Sequence, residues 1–239
     1  MITDSNSKEH VHDVFENIAP KYDLMNDLLS FRMHKLWRGF TMKKMNVQPG
    51  QSALDLCCGT CDWTIALAQA SGTGQVVGLD FSQNMLDHGA LKVSKHGLGT
   101  QITLVQGNAM SLPFEDHSFD YVTIGFGLRN VPDIEQVLSE MKRVVKPGGQ
   151  VVCLELSKPT WQPFKSIYYL YFERILPMVG KLVAKSFQEY KWLPDSLKVF
   201  PGRLELAELF RRTGLAQVKA YPLTGGIAAL HIGTKETQK

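Results

Sequence analysis

The chain has 239 residues, of which 44% are hydrophobic and 21% are charged, and it carries a formal net charge of +3. These values are typical of one large globular domain with a sizeable core. So small a charge, with no basic run of five or more residues, argues against nucleic acid as a partner. The first residues lack the apolar core of a secretory signal, and no apolar stretch is long enough to predict a membrane span. We therefore expect a cytoplasmic protein with reduced cysteines.

The first part of the chain predicts helices. From Val11 to about Val47, apolar residues recur at the spacing of a helix face, and Pro20 interrupts them. We expect two or three short helices, followed by a turn at 48–51, where the sequence reads QPGQ.

From residue 52 onward, short apolar runs alternate with amphipathic segments, which predicts a parallel sheet covered by helices. The predicted strands cover 52–58, 75–81, 102–108, 119–126 and 150–156, and the predicted helices cover 62–70, 82–95 and 131–145. After an aromatic-rich interruption, the pattern resumes with a helix at 204–215 and strands at 216–223 and 226–235. We expect these last two strands to form an antiparallel pair at the end of the sheet.

The run ALDLCCGTCDW, at 53–63, holds three of the four cysteines and admits three interpretations. Cys58 and Cys61 have the spacing of a redox dithiol or of half a zinc site, but zinc needs about four ligands and Cys153 lies on another predicted strand. A dinucleotide loop needs three glycines, and this loop has only Gly59. The third interpretation is a turn that holds S-adenosylmethionine, since a strand that enters a glycine turn and a helix suits that cofactor.

The S-adenosylmethionine interpretation accounts for polar residues at the ends of three predicted strands. Asp55 takes the acidic position of the first strand, and Gly59 lets the backbone approach the cofactor closely. Asp80 ends the second strand, where a carboxylate can accept hydrogen bonds from both ribose hydroxyls. The alternative is that the two aspartates only cap helices. The predicted cofactor-binding residues are Asp55, Gly59, Thr60, Asp80, Asn108 and Ala109, the last two at the adenine.

Four longer motifs are more specific than this loop. They are YDLMNDLLSFRMHKLW at 22–37, FGLRN at 126–130, RVVKPGGQVVCLELS at 143–157 and LTGGIAALHIG at 223–233. Together they closely resemble the ubiquinone/menaquinone biosynthesis C-methyltransferases, over nearly the whole chain, and the CCGT form of the loop resembles the menaquinone branch. The resemblance implies an α/β class I fold, a Rossmann-like, mostly parallel seven-stranded sheet whose last strand is antiparallel.

On this basis we predict one methyltransferase domain over 1–239. It comprises an N-terminal helical lid at 1–47, a cofactor-binding core at 50–156, a helical insertion at 158–192, and a C-terminal helix and strand pair at 200–239. The resemblance implies methylation of demethylmenaquinol to menaquinol, the last step of menaquinone biosynthesis, with S-adenosylmethionine as methyl donor and no metal. A ubiquinone-type benzoquinol, another phenolic lipid, and a non-catalytic S-adenosylmethionine-binding regulator remain alternatives.

Three residues are predicted to be catalytic. Arg129 and Asn130 follow the fourth strand, where they would stabilise a phenolate and orient the water that takes its proton. Asp23 would assist proton removal from the N-terminal helices. The alternatives are a structural ion pair for Arg129 and a role in shaping the lid for Asp23. Glu155, at the end of the fifth strand, is a candidate supporting carboxylate.

Cys61 departs from the family pattern, which has glycine at this position. If the turn requires a positive φ there, cysteine costs ~1 kcal/mol or more. The difference bears on cofactor affinity, so we expect Cys61→Gly to keep or improve it.

Residues 164–184, FKSIYYLYFERILPMVGKLVA, are apolar on most sides but too charged to span a membrane. Their aromatic residues suit a tunnel for a polyprenyl tail, or a peripheral contact with the inner face of the cell membrane. A helix in the core or in a homodimer interface is the alternative.

Overall fold

The computed structural model of the protein describes residues 22–159 and 196–237. The helices are α1 (Tyr22–Leu29), α2 (Met33–Met45), α3 (Asp62–Ser71), α4 (Gln83–Lys95), α5 (Ile134–Val144) and α6 (Arg203–Arg212). The strands are β1 (Ala53–Leu56), β2 (Val76–Asp80), β3 (Ile102–Gln106), β4 (Phe119–Gly125), β5 (Val145–Leu156), β6 (Ala216–Leu223) and β7 (Ala228–Thr234). The predicted helices before residue 22 and the insertion from 160 onward lie outside the described residues.

The strands form one sheet in the order β3-β2-β1-β4-β5-β7-β6. Strands β1 to β5 pair in parallel, whereas β7 runs antiparallel to both β5 and β6. This confirms the predicted mostly parallel, seven-stranded sheet with an antiparallel last strand. β7 lies between β5 and β6, so β6 forms the edge.

Both faces of the sheet are covered, as the apolar strand sequences predict. Because side chains alternate along a strand, neighbours such as Ala53 and Leu54 enter different clusters. One cluster packs β1, β4 and β5 against α5 and α6, and the other packs them against α2, α3 and α4.

The strand order reverses between β1 and β4, since the chain moves outward from β1 to β3 and then returns to the other side of β1. Such a reversal leaves a crevice at the carboxyl ends of the two strands, where open α/β sheets bind ligands. Backbone packing at this point is close: a Cβ added to Gly127, after β4, would lie 2.4 Å from the Cβ of Cys57, after β1.

Two local details differ from the sequence prediction. β5 begins at Val145 rather than at residue 150, because Phe119 pairs with Val145 before the register shifts and Tyr121 pairs with Gln150. Beyond β4 the chain also forms a short 3-10 helix, Leu128–Asn130, which the apolar pattern did not indicate.

Helix α2 attaches the N-terminal helices to the sheet. Trp37 donates its indole N–H to Thr224 Oγ1 at 2.8 Å, and its ring lies 6.2 Å from that of Phe126, just beyond β4. Trp63 on α3 donates to the sulfur of Met42 at 3.1 Å. Among the described residues, no helix is both long enough and apolar enough to cross a membrane.

Candidate active site

The turn after β1 is held by its own backbone and by β2. Cys58 N donates to Leu79 O at 3.1 Å, and Cys61 N donates to Cys58 O at 2.9 Å. Gly59 has φ 53° and Cys61 has φ 66°, so both adopt the left-handed conformation. The positive φ considered for Cys61 is therefore present, in a residue type that disfavours it.

Asp80 joins the ends of three strands. Its carboxylate accepts a hydrogen bond from Gly59 N at 2.8 Å, and its other oxygen accepts one from Ser82 N at 3.0 Å. Its backbone oxygen accepts from Gly107 N at 2.9 Å, which starts the loop after β3. The predicted cofactor turn and the predicted ribose carboxylate therefore lie in direct contact, and Asp80 does more than lead into a helix.

Asp55 lies beneath this turn. Its two oxygens accept hydrogen bonds from Thr64 Oγ1 on α3 and Thr123 Oγ1 on β4, each at 2.8 Å. The side chain is buried, and burial raises its pKa to about 6 although the two hydroxyls oppose the rise. Asp55 thus fastens α3 and β4 to β1 and does not cap a helix.

Asn108 and Ala109 begin the loop beside Asp80. Asn108 is exposed and its side-chain oxygen accepts from Met110 N at 2.9 Å, which shapes the loop, while Ala109 is buried. They follow Gly107, whose N–H donates to Asp80 O, so they lie next to the end of β2.

Asp23 reaches the cofactor turn from α1. It accepts a hydrogen bond from Thr60 Oγ1 at 2.5 Å and pairs with Lys92 Nζ at 2.7 Å. Lys92 also pairs with Asp62, which Arg38 of α2 contacts at 2.9 Å. Four helices, α1 to α4, therefore meet at this ion-pair network around Thr60.

The network favours the charged forms of Asp62 and Lys92. Burial alone would raise the pKa of Asp62, but Arg38 and Lys92 outweigh it and lower that pKa to about 2. Burial likewise lowers the pKa of Lys92, but its bonds to Asp23 and Asp62 reverse the effect and raise it. The sequence does not reveal Lys92, Asp62 and Arg38 as part of this network, because nothing in the spacing shows which faces of α2, α3 and α4 meet at the turn.

Arg129 and Glu155 form a buried ion pair on the β5 side of the crevice. The Arg129 guanidinium donates to Glu155 Oε1 at 2.6 Å and to Phe126 O at 2.5 Å, and Arg129 N donates to Glu155 Oε2 at 3.2 Å. The side chains of Arg129 and Glu155 are 9% and 1% exposed. Arg129 Nε is buried and has no hydrogen-bond partner among the described groups. Asn130 follows in the same 3-10 turn.

The four cysteines are free thiols. Contact with Cys61 and burial raise the pKa of Cys58 well above its ordinary value, and burial does the same to Cys57. A reactive dithiol needs a lowered pKa. In residues 22–159 and 196–237, no three His, Cys, Asp or Glu side chains are grouped as a metal site.

Comparison with known proteins agrees with this geometry. The sequence model of the ubiE/COQ5 methyltransferase family matches residues 2–235. The chain belongs to this family. It is 62% identical to a demethylmenaquinone methyltransferase of Bacillus pumilus, over 95% of this chain and 97% of that protein. It is 59% identical to one of Bacillus cytotoxicus, over 95% and 96% of the two chains.

Solved structures share the fold at low identity. A methyltransferase of Thermotoga maritima, described as a possible histamine N-methyltransferase, matches with a TM-score of 0.65 at 18% identity, over 94% of this chain and 99% of that one. A SAM-dependent methyltransferase of Aquifex aeolicus matches with a TM-score of 0.61 at 17% identity, over 82% and 88%. These likenesses establish the class I methyltransferase fold.

Cys61 packs against α4. A Cβ added to Gly89 would lie 2.4 Å from Cys61 Sγ, whereas the next nearest atoms, Cys61 Cβ and Gly59 O, would be 3.4 Å away. Gly89→Ala alone should therefore destabilise the protein. Overpacking costs about 1–3 kcal/mol, and the better helix propensity of alanine offsets only part of this cost. In a Cys61→Gly background the same change should stabilise it. Urea unfolding of the four proteins measures the sign in each background, and equal effects in both would contradict this packing.

Asp55 makes stability depend on pH. Its pKa rises from 3.8 to about 6 on folding, so the folded state binds the proton more tightly. The stabilisation is complete below pH 3.8 and is lost as pH rises through about 6, amounting to about 3 kcal/mol. Asp55→Asn should remove this dependence. The difference in thermal midpoint, variant minus wild type, should therefore increase from pH 4 to pH 7, because only wild type loses this stabilisation. A constant difference would show that Asp55 titrates normally.

Proposed function

We propose that this protein transfers a methyl group from S-adenosylmethionine to a ring carbon of demethylmenaquinol, giving menaquinol. The observation that carries the proposal is its identity of 59% and 62%, over 95% of its length, with proteins named demethylmenaquinone methyltransferase. The fold alone would not support it, since one fold hosts many reactions.

The residues at the crevice fit S-adenosylmethionine. Asp80 is a buried carboxylate at the end of β2, and its two oxygens accept hydrogen bonds from Gly59 N and Ser82 N. We assign it to the ribose hydroxyls, the turn at Gly59 and Thr60 to the methionine part, and Asn108 and Ala109 to the adenine. When bound, S-adenosylmethionine supplies a methyl group on a cationic sulfur, which is a good electrophile.

The substrate oxygen is assigned to Arg129. A phenol carbon becomes nucleophilic when the neighbouring hydroxyl loses its proton, so a cation beside that oxygen favours the reactive form. Arg129 has one buried N–H, at Nε, without a partner among the described groups, and such a donor is costly unless something uses it. We assign Nε–H to the substrate oxygen.

Proton removal needs a group other than the guanidinium, because arginine keeps its proton in proteins. We assign the proton to a water held beside Arg129 and oriented by Asn130. Asp23 already accepts from Thr60 and pairs with Lys92, on the β1 side of the crevice. Its part is then to hold α1 over the cofactor turn, with proton removal its second assignment.

Because the quinol has an isoprenoid tail, this proposal includes peripheral contact of the protein with the inner face of the cell membrane. The insertion predicted to make this contact lies outside the described residues, since residues 160–195 are not among them.

The proposal is tested by incubating purified protein with methyl-labelled S-adenosylmethionine and short-tailed demethylmenaquinol, with the matching demethylated benzoquinol in parallel. We expect label in menaquinol, identified by mass spectrometry. Transfer only to the benzoquinol would assign the ubiquinone-type substrate instead. Label that binds and is never transferred would identify a regulator.

Glu155 should act through Arg129. It holds both the backbone N and the guanidinium of Arg129, so Glu155→Gln should lower kcat by about tenfold or more with little change in the KM for S-adenosylmethionine. In an Arg129→Lys background the same substitution should have little further effect, because the two residues act as a unit.

The matched control is Asp120→Asn. Asp120 pairs with Lys146 at 2.9 Å across the same two strands, but at their amino ends. It should leave kcat unchanged. Additive losses from Glu155→Gln and Arg129→Lys would contradict the positioning role.

A further inference from the structure

The N-terminal helices expose an unusual amount of apolar surface. Of the eight large hydrophobic side chains exposed in the described parts of the chain, five lie on α1, on α2 or in the turn that joins them. They are Leu24, Leu28, Phe31, Leu36 and Phe40, and we call them the hairpin surface. Exposed apolar side chains concentrated on one part of a protein often mark a site that contacts another protein or a membrane.

The turn at the tip is conformationally costly. Phe31 has φ 49° and Arg32 has φ 61°, a region that side chains with a Cβ seldom adopt. Backbone bonds hold the turn, since Arg32 N donates to Asp27 O at 2.9 Å and Met33 N to Ser30 O at 2.9 Å. Phe31 is 73% exposed, so most of an aromatic side chain on this strained turn is accessible.

The same segment carries the net charge of the chain. Residues 22–45 contain five basic and two acidic residues, an excess of three, and the whole chain has a net charge of +3. Asp27 lies between Arg32 and Lys35, while Asp23 pairs with Lys92 and Arg38 pairs with Asp62. Lys43 and Lys44, near the end of α2, are exposed. Lys44 Nζ lies 5.5 Å from the centroid of the Phe40 ring, so a cation and an exposed apolar ring are adjacent.

Leucine and phenylalanine side chains next to lysine and arginine form the surface that binds an anionic bilayer. We propose that the hairpin surface docks the protein onto an anionic phospholipid bilayer. This inference rests on the proposed function, whose quinol substrate is a membrane lipid.

The docking surface lies next to the active site. α1 reaches the cofactor turn through Asp23 and Thr60, and α2 reaches the β4 end through Trp37 and Phe126. Docking by these helices would therefore bring the crevice close to the bilayer from which the quinol is drawn.

Vesicle flotation tests the proposal, with phosphatidylcholine vesicles that contain or lack phosphatidylglycerol. Wild type should float with the mixed vesicles and bind pure phosphatidylcholine more weakly, and added salt should weaken the difference. Phe31→Ser with Leu36→Ser should lower binding about tenfold or more, since both side chains would lose contact with the bilayer.

The chain offers matched controls. Leu91 and Leu204 are 70% and 69% exposed on other helices, so Leu91→Ser with Leu204→Ser should leave binding within about twofold. Lys43→Gln should weaken binding to the mixed vesicles only, and Lys219→Gln on β6 should have no effect. Absent flotation of wild type, or equal losses in the hairpin and control variants, would overturn the proposal.

Two further measurements separate this inference from the proposed function. Turnover of a short-tailed quinol in solution should not change in the Phe31, Leu36 variant, whereas turnover of quinol embedded in vesicles should fall. Should wild type methylate no quinol at all, the proposed function fails while flotation still decides the docking surface. Sedimentation velocity tests whether a second copy of the chain binds this surface instead. If wild type is a dimer that the hairpin substitutions dissociate while flotation is unchanged, the surface is a self-association interface and the proposal is overturned.

Discussion

The hydrogen bond from Gly59 N to the Asp80 carboxylate, 2.8 Å long, holds the site together. It fixes the turn after β1 to the end of β2, and the backbone oxygen of Asp80 adds the loop after β3. A buried hydrogen bond from a backbone N–H to a carboxylate is strong and directional. The turn after β1, the end of β2 and the loop after β3, where we propose that the cofactor binds, depend on it for their relative positions.

Buried charge organises the two sides of the crevice differently. On the β1 side, Asp55 is held by two hydroxyls, and its raised pKa shows that burial outweighs their stabilisation of the carboxylate. On the β5 side, Arg129 and Glu155 neutralise each other, which avoids the cost of a lone buried charge. The pair also limits where the guanidinium can move, so the buried Nε–H, which has no described partner, has a fixed position.

The sequence predicted the sheet, and it placed Gly59 and Asp80 at the carboxyl edge of that sheet, because those signals are local. Short apolar runs, a glycine turn and an aspartate at a strand end determine what lies at the carboxyl edge of a parallel sheet. Contacts between distant elements were not predictable. Whether Gly89 and Lys92 face the turn depends on the rotation of α4, and whether Arg129 meets Glu155 depends on the register between β4 and β5. The positive φ at Phe31 also has no sequence signal, since neither glycine nor asparagine marks it.

The affinity of Asp80→Asn for S-adenosylmethionine, measured by calorimetry, tests the account most directly. Asp87→Asn, on the exposed side of α4, is the control, and circular dichroism verifies that both variants fold. Loss of a charged acceptor for two hydroxyls costs about 1.5–3 kcal/mol for each hydrogen bond, so affinity should fall about tenfold or more in Asp80→Asn only. Unchanged affinity in a folded Asp80→Asn protein would contradict the assignment of this crevice as the cofactor site.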